Sequence, residues 1–218
     1  MKEVNLFNHV NLEIVEPNAV STPNGRMYET PDGASYPSVT TVMSYLSKDS
    51  IKAWRERVGE EEANKISNQA STRGTTIHDL CEQILLNNDV TLDKQMFNEF
   101  RPFLDRIDNI HALETALYSH HLRLAGRVDC IAEYEGTLSV IDFKTSRKPK
   151  KKEWISNYFM QCTAYAIMFE EITKIPIPQI VLMIAVEGSE PQMFVEKRDN
   201  YAEQLLDLRL DYERSIKL

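Results

Sequence analysis

The clearest alternation of apolar and polar positions lies in residues 126–152, where two β-prone runs meet at Glu135 and Gly136. Val, Ile, Phe and Tyr on both sides of a break that contains glycine are typical of a β-hairpin. If the loop consists of those two residues alone, Tyr134 pairs with Thr137. The pattern therefore predicts two antiparallel strands whose register follows from counting outward from this pair.

Counting outward places Asp129 directly opposite Asp142, and the period-2 alternation of a strand puts Lys144 on the face of Asp142. Opposed residues have Cβ atoms only ~5 Å apart, and like charges so placed destabilise a sheet. The pair therefore requires a cation between its members. Both faces of the hairpin carry apolar residues, with one face expected to hold Val128, Cys130, Ala132, Ile141 and Phe143 and the acidic face Ile131 and Val140. This pattern favours a buried strand pair over the alternative of a hairpin with surface aspartates.

The remaining periodicity predicts helices on both sides of this hairpin. They are expected at about 38–46, from 51, from 71 or 75 to 86, at 91–109 with a bend at Pro102, at 153–173 and at 200–217. Further strands are expected in "HALETALYSHHLRLA", in "IPIPQIVLMIAVEG" and around 193–196, and a small hairpin in "RMYET" and "ASYPS" around the turn "PDG". The charged stretch 51–70 is interpreted as a solvated helix pair; the alternative is that Trp54, Arg55 and Arg57 contact a nucleic-acid strand.

These elements predict a mixed α/β (α+β) fold in a single domain of residues 1–218. Residues 1–110 would form a helical N-terminal part that carries His78, and 111–218 the αβ core. Hydrophobic residues make up 42% of the 218 and the formal net charge is −8, as in a globular protein. No apolar run approaches a membrane span and no targeting segment is recognisable, so a cytoplasmic location is expected. The cysteines Cys81, Cys130 and Cys162 have no paired spacing, which indicates reduced core thiols rather than disulfides or metal ligands.

Paired carboxylates beside a lysine suit the hydrolysis of a phosphodiester by a bound divalent cation. Oxygen ligands favour Mg²⁺, with Mn²⁺ as a substitute, over zinc. A lysine two residues after a ligand would orient the attacking water or neutralise developing charge.

Four further features have two interpretations each. His78 and Glu82 share a helix face, and alone this histidine is more simply structural. Glu114 is either a solvent-facing residue or a site carboxylate. The basic segment, defined as Arg147, Lys148, Lys150, Lys151 and Lys152, is either a solvated loop or a set of phosphate contacts. Gln161 and Tyr165, four residues apart on one helix, either contact a nucleic-acid strand or pack between elements.

In this order, His78, "GRVD", "IDFKT" and the Q-x-x-A-Y of Gln161 and Tyr165 resemble the RecB-like branch of the PD-(D/E)xK nuclease superfamily. The resemblance implies that His78, Asp129 and Asp142 bind the metal together with the backbone carbonyl of Phe143, and that Lys144 is catalytic. Glu114 resembles a further acidic position that often precedes the glycine–aspartate strand. The expected nucleic-acid contacts are Thr145, Gln161, Tyr165 and the basic segment.

Most of the chain from about Pro37 onward is similar to the mitochondrial genome maintenance exonuclease family, through "PSVTTVM", "RGTTIHDLCEQIL", "ETALYS", "AGRVDCIAEY", "LSVIDFKTSRKPK" and "QCTAYA". This likeness implies a restriction-endonuclease-like core, with a mixed four-stranded sheet flanked by helices and an N-terminal helical elaboration over the active site. It also implies Mg²⁺-dependent degradation of single-stranded DNA from free ends or flaps, in DNA replication, repair or recombination. The chain lacks a mitochondrial presequence and the cysteine quartet of the iron–sulfur members, so a bacterial or viral relative without a cluster is expected. The alternatives are a catalytically silent DNA-binding recombination scaffold and a structure-selective endonuclease on the same fold.

Overall fold

Two β-sheets are present in the computed structural model, which describes residues 6–23, 25–91 and 94–216. The first three strands form a small antiparallel sheet and the other five a mixed sheet with the order β4-β5-β6-β7-β8. The strands are β1 (Asn18–Thr22), β2 (Gly25–Glu29), β3 (Ser35–Pro37), β4 (Ile107–Ser119), β5 (Leu124–Tyr134), β6 (Thr137–Ser146), β7 (Gln179–Val186) and β8 (Gln192–Lys197).

The mixed α/β class and the meander β4-β5-β6 are confirmed, because each of these strands pairs antiparallel with the next. The chain then crosses over through a helix, so that β7 runs parallel to β6, and β8 returns antiparallel beside β7. The sheet thus has five strands where the family resemblance implied four, since the weakly predicted strand around 193–196 does pair. The N-terminal hairpin is also confirmed, as β2 and β3, with β1 as a further strand.

Five α-helices lie in the described residues, together with three short 3₁₀ segments. The helices are α1 (Val39–Val58), α2 (Glu60–Leu85), α3 (Gln95–Phe100), α4 (Ser156–Thr173) and α5 (Ala202–Ile216), and the 3₁₀ segments are Arg101–Arg106, Lys152–Trp154 and Arg198–Tyr201.

The predicted break at residues 47–50 is wrong, because α1 runs through it without interruption. Serine hydroxyls there bond to carbonyls three residues earlier in the same helix, at 3.2 Å for Ser47 and 2.9 Å for Ser50. The true break is at Gly59, with φ 87°, where α2 begins. The predicted helix of residues 71 or 75 to 86 is therefore the second half of a longer one. In the charged stretch, Arg55 forms an ion pair with Glu60.

The predicted helix of residues 91–109 is likewise wrong in its extent. Residues 92 and 93, near its predicted start, lie outside the described part, as does residue 217 at the end of the last helix. The described part of the 91–109 region is α3, then the 3₁₀ segment with Pro102 near its start, then β4 from Ile107. Proline has no N–H to donate and restricts the residue before it, which ends the α-helical geometry. The N-terminal part also contains a sheet rather than helices alone.

The mixed sheet is buried on both faces, as predicted for its central hairpin. One face packs on α4 through a layer that includes Ile131, Val140, Leu182 and Phe159. The other packs on α2 and α3 through a layer that includes Cys130, Ile141, Phe143, Ile77 and Phe100. Cys81, Cys130 and Cys162 are unpaired and buried in these layers, as predicted. The sheet is therefore a rigid platform between two helical layers, with its central strands removed from solvent.

Candidate active site

The hairpin of β5 and β6 has the predicted register. Tyr134 pairs with Thr137 across the two-residue turn, and the ladder continues to Cys130 and Ile141. Glu135 and Gly136 have φ values of 50° and 79°, which is typical of the tight hairpin turns with both central residues at positive φ. The two strands are thus aligned up to the position just before Asp129 and Asp142.

At that position a side chain, rather than the backbone of the neighbouring strand, provides the hydrogen-bond acceptor. The carboxylate of Asp129 accepts the backbone N–H of Phe143, with 2.9 Å between Oδ2 and N. Val128 packs in the α4 layer and Cys130 in the α2 layer, so the expectation that they share a face is wrong. A strand places residues i and i+2 on one face, and β5 is therefore irregular at Asp129. This irregularity lets Asp129 reach the α2 side of the sheet.

Asp129 meets a histidine and a second carboxylate there. Ligand atoms of His78, Glu114 and Asp129 all lie within 4.8 Å of one another. His78 comes from α2, Glu114 from β4 and Asp129 from β5, and His78 Nδ1 lies 3.6 Å from Asp129 Oδ2. The ring of His78 also packs edge-on against the ring of Phe143, with 6.3 Å between centroids. The structure thus brings together one imidazole and two carboxylates from three separate elements.

Glu114 reaches this trio through an unusual backbone conformation. Its φ is 45° within strand β4, a region that residues other than glycine rarely adopt. Its neighbours Leu113 and Thr115 pair with Cys130 and Val128 in one register, whereas Glu114 and Asp129 have no pairing between them. The guanidinium of Arg127 donates to the carbonyl of Glu114, which stabilises the turned peptide. Strained backbone of this kind is concentrated at functional sites.

The proton affinity of Glu114 is perturbed in this trio. Burial, and then the negative charge of Asp129, raise the pKa of Glu114 from 4.5 to about 7. Two carboxylates that repel each other in a half-buried site are stabilised by a cation, and their oxygens with an imidazole nitrogen suit a divalent ion. These three donors therefore fit a divalent metal ion, and His78, Glu114 and Asp129 are the residues that would hold it.

Asp142 lies outside this trio and is 1% exposed. Its Oδ2 lies 2.5 Å from Nζ of Lys144, as an ion pair rather than a well-directed hydrogen bond. Burial raises the pKa of Asp142 to about 6, Lys144 opposes this rise and Asp129 adds to it. Burial alone would lower the pKa of Lys144, but the charges of Asp142 and Asp129 outweigh it, so this pKa is raised. The lysine is therefore held in its protonated form.

Two residues of α4 complete the surroundings of Asp142. Gln161 Nε2 lies 3.4 Å from Asp142 Oδ1 and 3.5 Å from the hydroxyl of Tyr165. Tyr165 is 1% exposed, so a base cannot stack on its ring while α4 keeps this position. Its ring instead covers Gly126, where an added Cβ would lie 3.0 Å from Cε1 and 3.1 Å from the hydroxyl oxygen. Of the two interpretations of Tyr165, packing is the one that the described contacts support.

The other predicted contacts lie around the exit of β6. Phe143 and Thr145 belong to the ladder with β7, and Thr145 is half-buried. In the basic segment, Lys150 exchanges backbone hydrogen bonds with the side chain of Gln192, at 2.6 and 3.0 Å. Lys152 forms an ion pair with Glu196, and Arg147 and Lys148 are exposed. The later part of the segment is thus attached to β8 through Lys150 and Lys152, and its first two cations face solvent.

Sequence reasoning did not single out Arg127, Arg73 or Trp154. Arg127 follows Gly126 in "GRVD". Its role is visible only in the structure, where it donates to the carbonyl of Glu114. Arg73 lies on α2 five residues before His78, and no pattern distinguished it from other surface arginines. Trp154 is 64% exposed with the ammonium of Lys151 5.0 Å above its ring. An apolar aromatic residue two positions after a basic run was the available signal for it.

Comparison with known proteins gives a match to a family model and matches to individual relatives. The family model described as the PD-(D/E)XK nuclease superfamily matches residues 95–214. Mitochondrial genome maintenance exonuclease 1 of Homo sapiens is 33% identical over 129 residues, which cover 52% of this chain and 38% of that protein. The Xenopus tropicalis protein of the same name is 29% identical over 128 residues, covering 52% and 37%. The alignment thus spans well under half the length of these relatives. The cytoplasmic location expected from the sequence stays a prediction.

Two solved structures resemble the chain more distantly. The crystal structure of SSO0001 has a TM-score of 0.44 at 16% identity, covering 80% of this chain and 72% of that one. A putative exonuclease from Eubacterium rectale has a TM-score of 0.42 at 12% identity, covering 83% and 74%.

The matched region starts at α3 and ends within α5, so it contains β4 to β8 together with Glu114, Asp129, Asp142 and Lys144, whereas His78 precedes it. None of the helices in the described part of the chain could span a lipid bilayer. That residues 1–218 act as one nuclease domain stays a prediction. The family match over more than half of the chain shows that this protein belongs to the PD-(D/E)XK nuclease superfamily.

Proposed function

We propose that this protein is a divalent-metal-dependent deoxyribonuclease that degrades single-stranded DNA from free ends or flaps. The observation that carries the proposal is the convergence of His78, Glu114 and Asp129 beside the buried pair of Asp142 and Lys144. Membership of a nuclease family supplies the reaction class, and the word exonuclease in the names of its relatives supports action at ends. Replication, repair or recombination would be the setting.

In this proposal His78, Glu114 and Asp129 hold the cation, with Asp142 and the carbonyl of Phe143 as the further ligands predicted from the sequence. Mg²⁺ is the preferred ion because oxygen donors dominate, and Mn²⁺ would substitute. When bound, such an ion polarises a phosphate and lowers the pKa of a coordinated water.

The chain's own residues supply the remaining chemistry. The protonated Lys144, paired with Asp142, would orient the attacking water and neutralise negative charge that develops on the phosphate. Gln161 keeps Asp142 in place, since it donates to the carboxylate oxygen that Lys144 does not contact. Arg147, Lys148 and the other members of the basic segment, with Thr145, would guide the strand.

The test is digestion of end-labelled single-stranded DNA with Mg²⁺, compared with duplex DNA, circular single-stranded DNA and single-stranded RNA. We expect the linear DNA to be shortened and the circle to stay intact, because the enzyme needs a free end. Cleavage of the circle would instead identify an endonuclease, and binding without any cleavage would identify a silent scaffold. Chelation of the metal with EDTA should abolish cleavage.

Matched variants identify the residues responsible. Asp129→Asn and Lys144→Met should each reduce the rate by at least ~100-fold, the usual cost of losing an electrostatic contact to the transition state. Their controls are Asp211→Asn and Lys65→Met, which change the same groups on exposed helix surfaces. Circular dichroism should show that all four variants are folded. Wild-type rates for both active-site variants would refute the assignment.

A further inference from the structure

A cavity of about 580 Å³ lies between α2 and the ends of β6 and β7. The two strands are parallel and end together, with Ser146 paired to Val186. Arg147 directly follows β6 and Glu187 directly follows β7, and both residues line the cavity. Crevices at the carboxyl ends of parallel strands are where open α/β sheets bind their ligands. By its position in the fold, this cavity is thus a candidate binding site.

The wall of the cavity is positively charged although the protein is acidic overall, at −8. Three cationic side chains line it, those of Arg73, Lys94 and Arg147, against the single carboxylate of Glu187 among the described lining residues. Thr72 and Thr76 add hydroxyl groups from α2. Local excess of positive charge in a concave site attracts anions of complementary shape. The lining therefore suits a phosphate group.

Arg73 has hydrogen-bonding capacity that the protein does not use. Its side chain is largely buried, and its Nε has no hydrogen-bond partner. Its Nη1 contacts Glu187 Oε2 at 3.5 Å, which is long for a charged pair. A buried guanidinium N–H without a partner is unfavourable, and the planar guanidinium fork matches two phosphate oxygens. A phosphate in the cavity would bind this guanidinium in place of its long contact with Glu187.

The cavity is also close enough to the candidate active site to receive the same strand. Arg73 precedes His78 by five residues on α2, ~7.5 Å along the helix axis. Arg147 follows Lys144 by three residues, just past the end of β6. For a strand with the helical geometry of duplex DNA, which rises ~3.4 Å per nucleotide, the helix distance corresponds to about two nucleotides. A strand with one phosphate at the trio would thus present a neighbouring phosphate to the cavity.

We propose that this cavity is a phosphate subsite for the DNA strand, in which Arg73 and Arg147 bind a phosphate and Glu187 is displaced from Arg73. This inference rests on the proposed function, because it takes its ligand from the same substrate. The phosphate is either internal to the strand or a terminal 5′-phosphate, and both offer at least two non-bridging oxygens to the guanidinium groups.

The test is the binding of a 20-nucleotide oligothymidine, labelled at its 3′ end, measured by fluorescence anisotropy in EDTA at several NaCl concentrations. Arg73→Gln should weaken binding and reduce the slope of log K against log [salt] by ~0.7, the value for one lost phosphate contact with a single strand. Glu187→Gln should tighten binding. Arg214→Gln is the control, since it removes the same charge from an exposed site on α5 and should leave the slope unchanged.

Oligonucleotides with and without a 5′-phosphate separate the two sources. If Arg73→Gln loses affinity only for the phosphorylated oligonucleotide, the bound phosphate is terminal. If it loses affinity equally for both oligonucleotides, the bound phosphate is internal. The subsite is refuted if Arg73→Gln binds with the same affinity and slope as Arg214→Gln. Should Arg73→Gln not fold, Glu187→Gln decides, because an unchanged affinity in that exposed-site variant also refutes the subsite.

Failure of this inference is distinguishable from failure of the proposed function. Binding in EDTA requires no cleavage, so a wild-type protein that digests DNA while Arg73→Gln binds like the control overturns the subsite alone. A wild-type protein that neither binds nor cleaves single-stranded DNA overturns both.

Discussion

Glu114→Gln should stabilise the metal-free protein and at the same time remove its stabilisation by metal. In the wild type, Glu114 lies among the ligand atoms of His78 and Asp129, and burial and the charge of Asp129 raise its pKa from 4.5 to about 7. A glutamine has nearly the same shape without the negative charge. It should therefore relieve the repulsion at neutral pH but donate poorly to a divalent cation.

The magnitude follows from the linkage between proton binding and folding. A rise from 4.5 to about 7 corresponds to ~3 kcal/mol of destabilisation when the carboxyl is ionised. Because the side chain is only half-buried, solvent screening reduces this to ~1–2 kcal/mol. For a chain of this length, that change raises Tm by ~3–6 °C.

The sign of the pH dependence is specific. A carboxyl whose folded pKa is raised favours the folded state while protonated, and this contribution is lost as pH rises from below 4.5 through about 7. The difference in the free energy of unfolding between Glu114→Gln and wild type should thus be fully present at pH 8 and mostly absent at pH 5.

The assay is thermal unfolding followed by circular dichroism, in EDTA and in Mg²⁺, at both pH values. Added Mg²⁺ should raise the Tm of the wild type, since a ligand that binds only the folded state stabilises it, and should raise that of Glu114→Gln much less. Glu190→Gln, which neutralises an exposed carboxylate, should behave as wild type. A Glu114→Gln protein that is equally destabilised at both pH values and keeps the full metal effect would refute the assignment of Glu114 as a ligand.

Three further predictions test the surroundings of the site. Gly126→Ala should cost ~1–3 kcal/mol, because its Cβ would lie 3.0 Å from a ring carbon of Tyr165; chemical denaturation measures this, and an unchanged midpoint would contradict the packing. Gln161→Leu should lower cleavage more than stability, since Asp142 loses its amide donor, and a wild-type rate would show that the contact is dispensable. Ser38→Ala should cost ~1 kcal/mol, because its hydroxyl accepts the N–H of Thr41 at 2.9 Å; loss of DNA cleavage in the folded variant would be unexpected.

The hairpin of β5 and β6 could be predicted in detail because its information is local. A two-residue turn determines the register, and alternation then places every side chain as long as the strand is regular. The prediction failed for Val128, where β5 becomes irregular at Asp129. In α1 the serine cluster suggested a break, yet each hydroxyl bonds to a carbonyl of the helix itself, so residues that favour caps and turns were accommodated inside it.

Glu114 illustrates why the rest of the site was out of reach. The sequence favours neither alternative for Glu114, because an acidic residue in a strand faces solvent or the site according to alternation. Its φ of 45° removes it from this alternation. That conformation depends on Arg127, thirteen residues later, which donates to its carbonyl. His78 and Arg73 depend on contacts between α2 and strands far along the chain. The spacing of residues therefore predicts the carboxylates and lysine of one hairpin. The trio with Glu114 arises only where β4, β5 and α2 converge, and the cavity only where α2 meets the ends of β6 and β7.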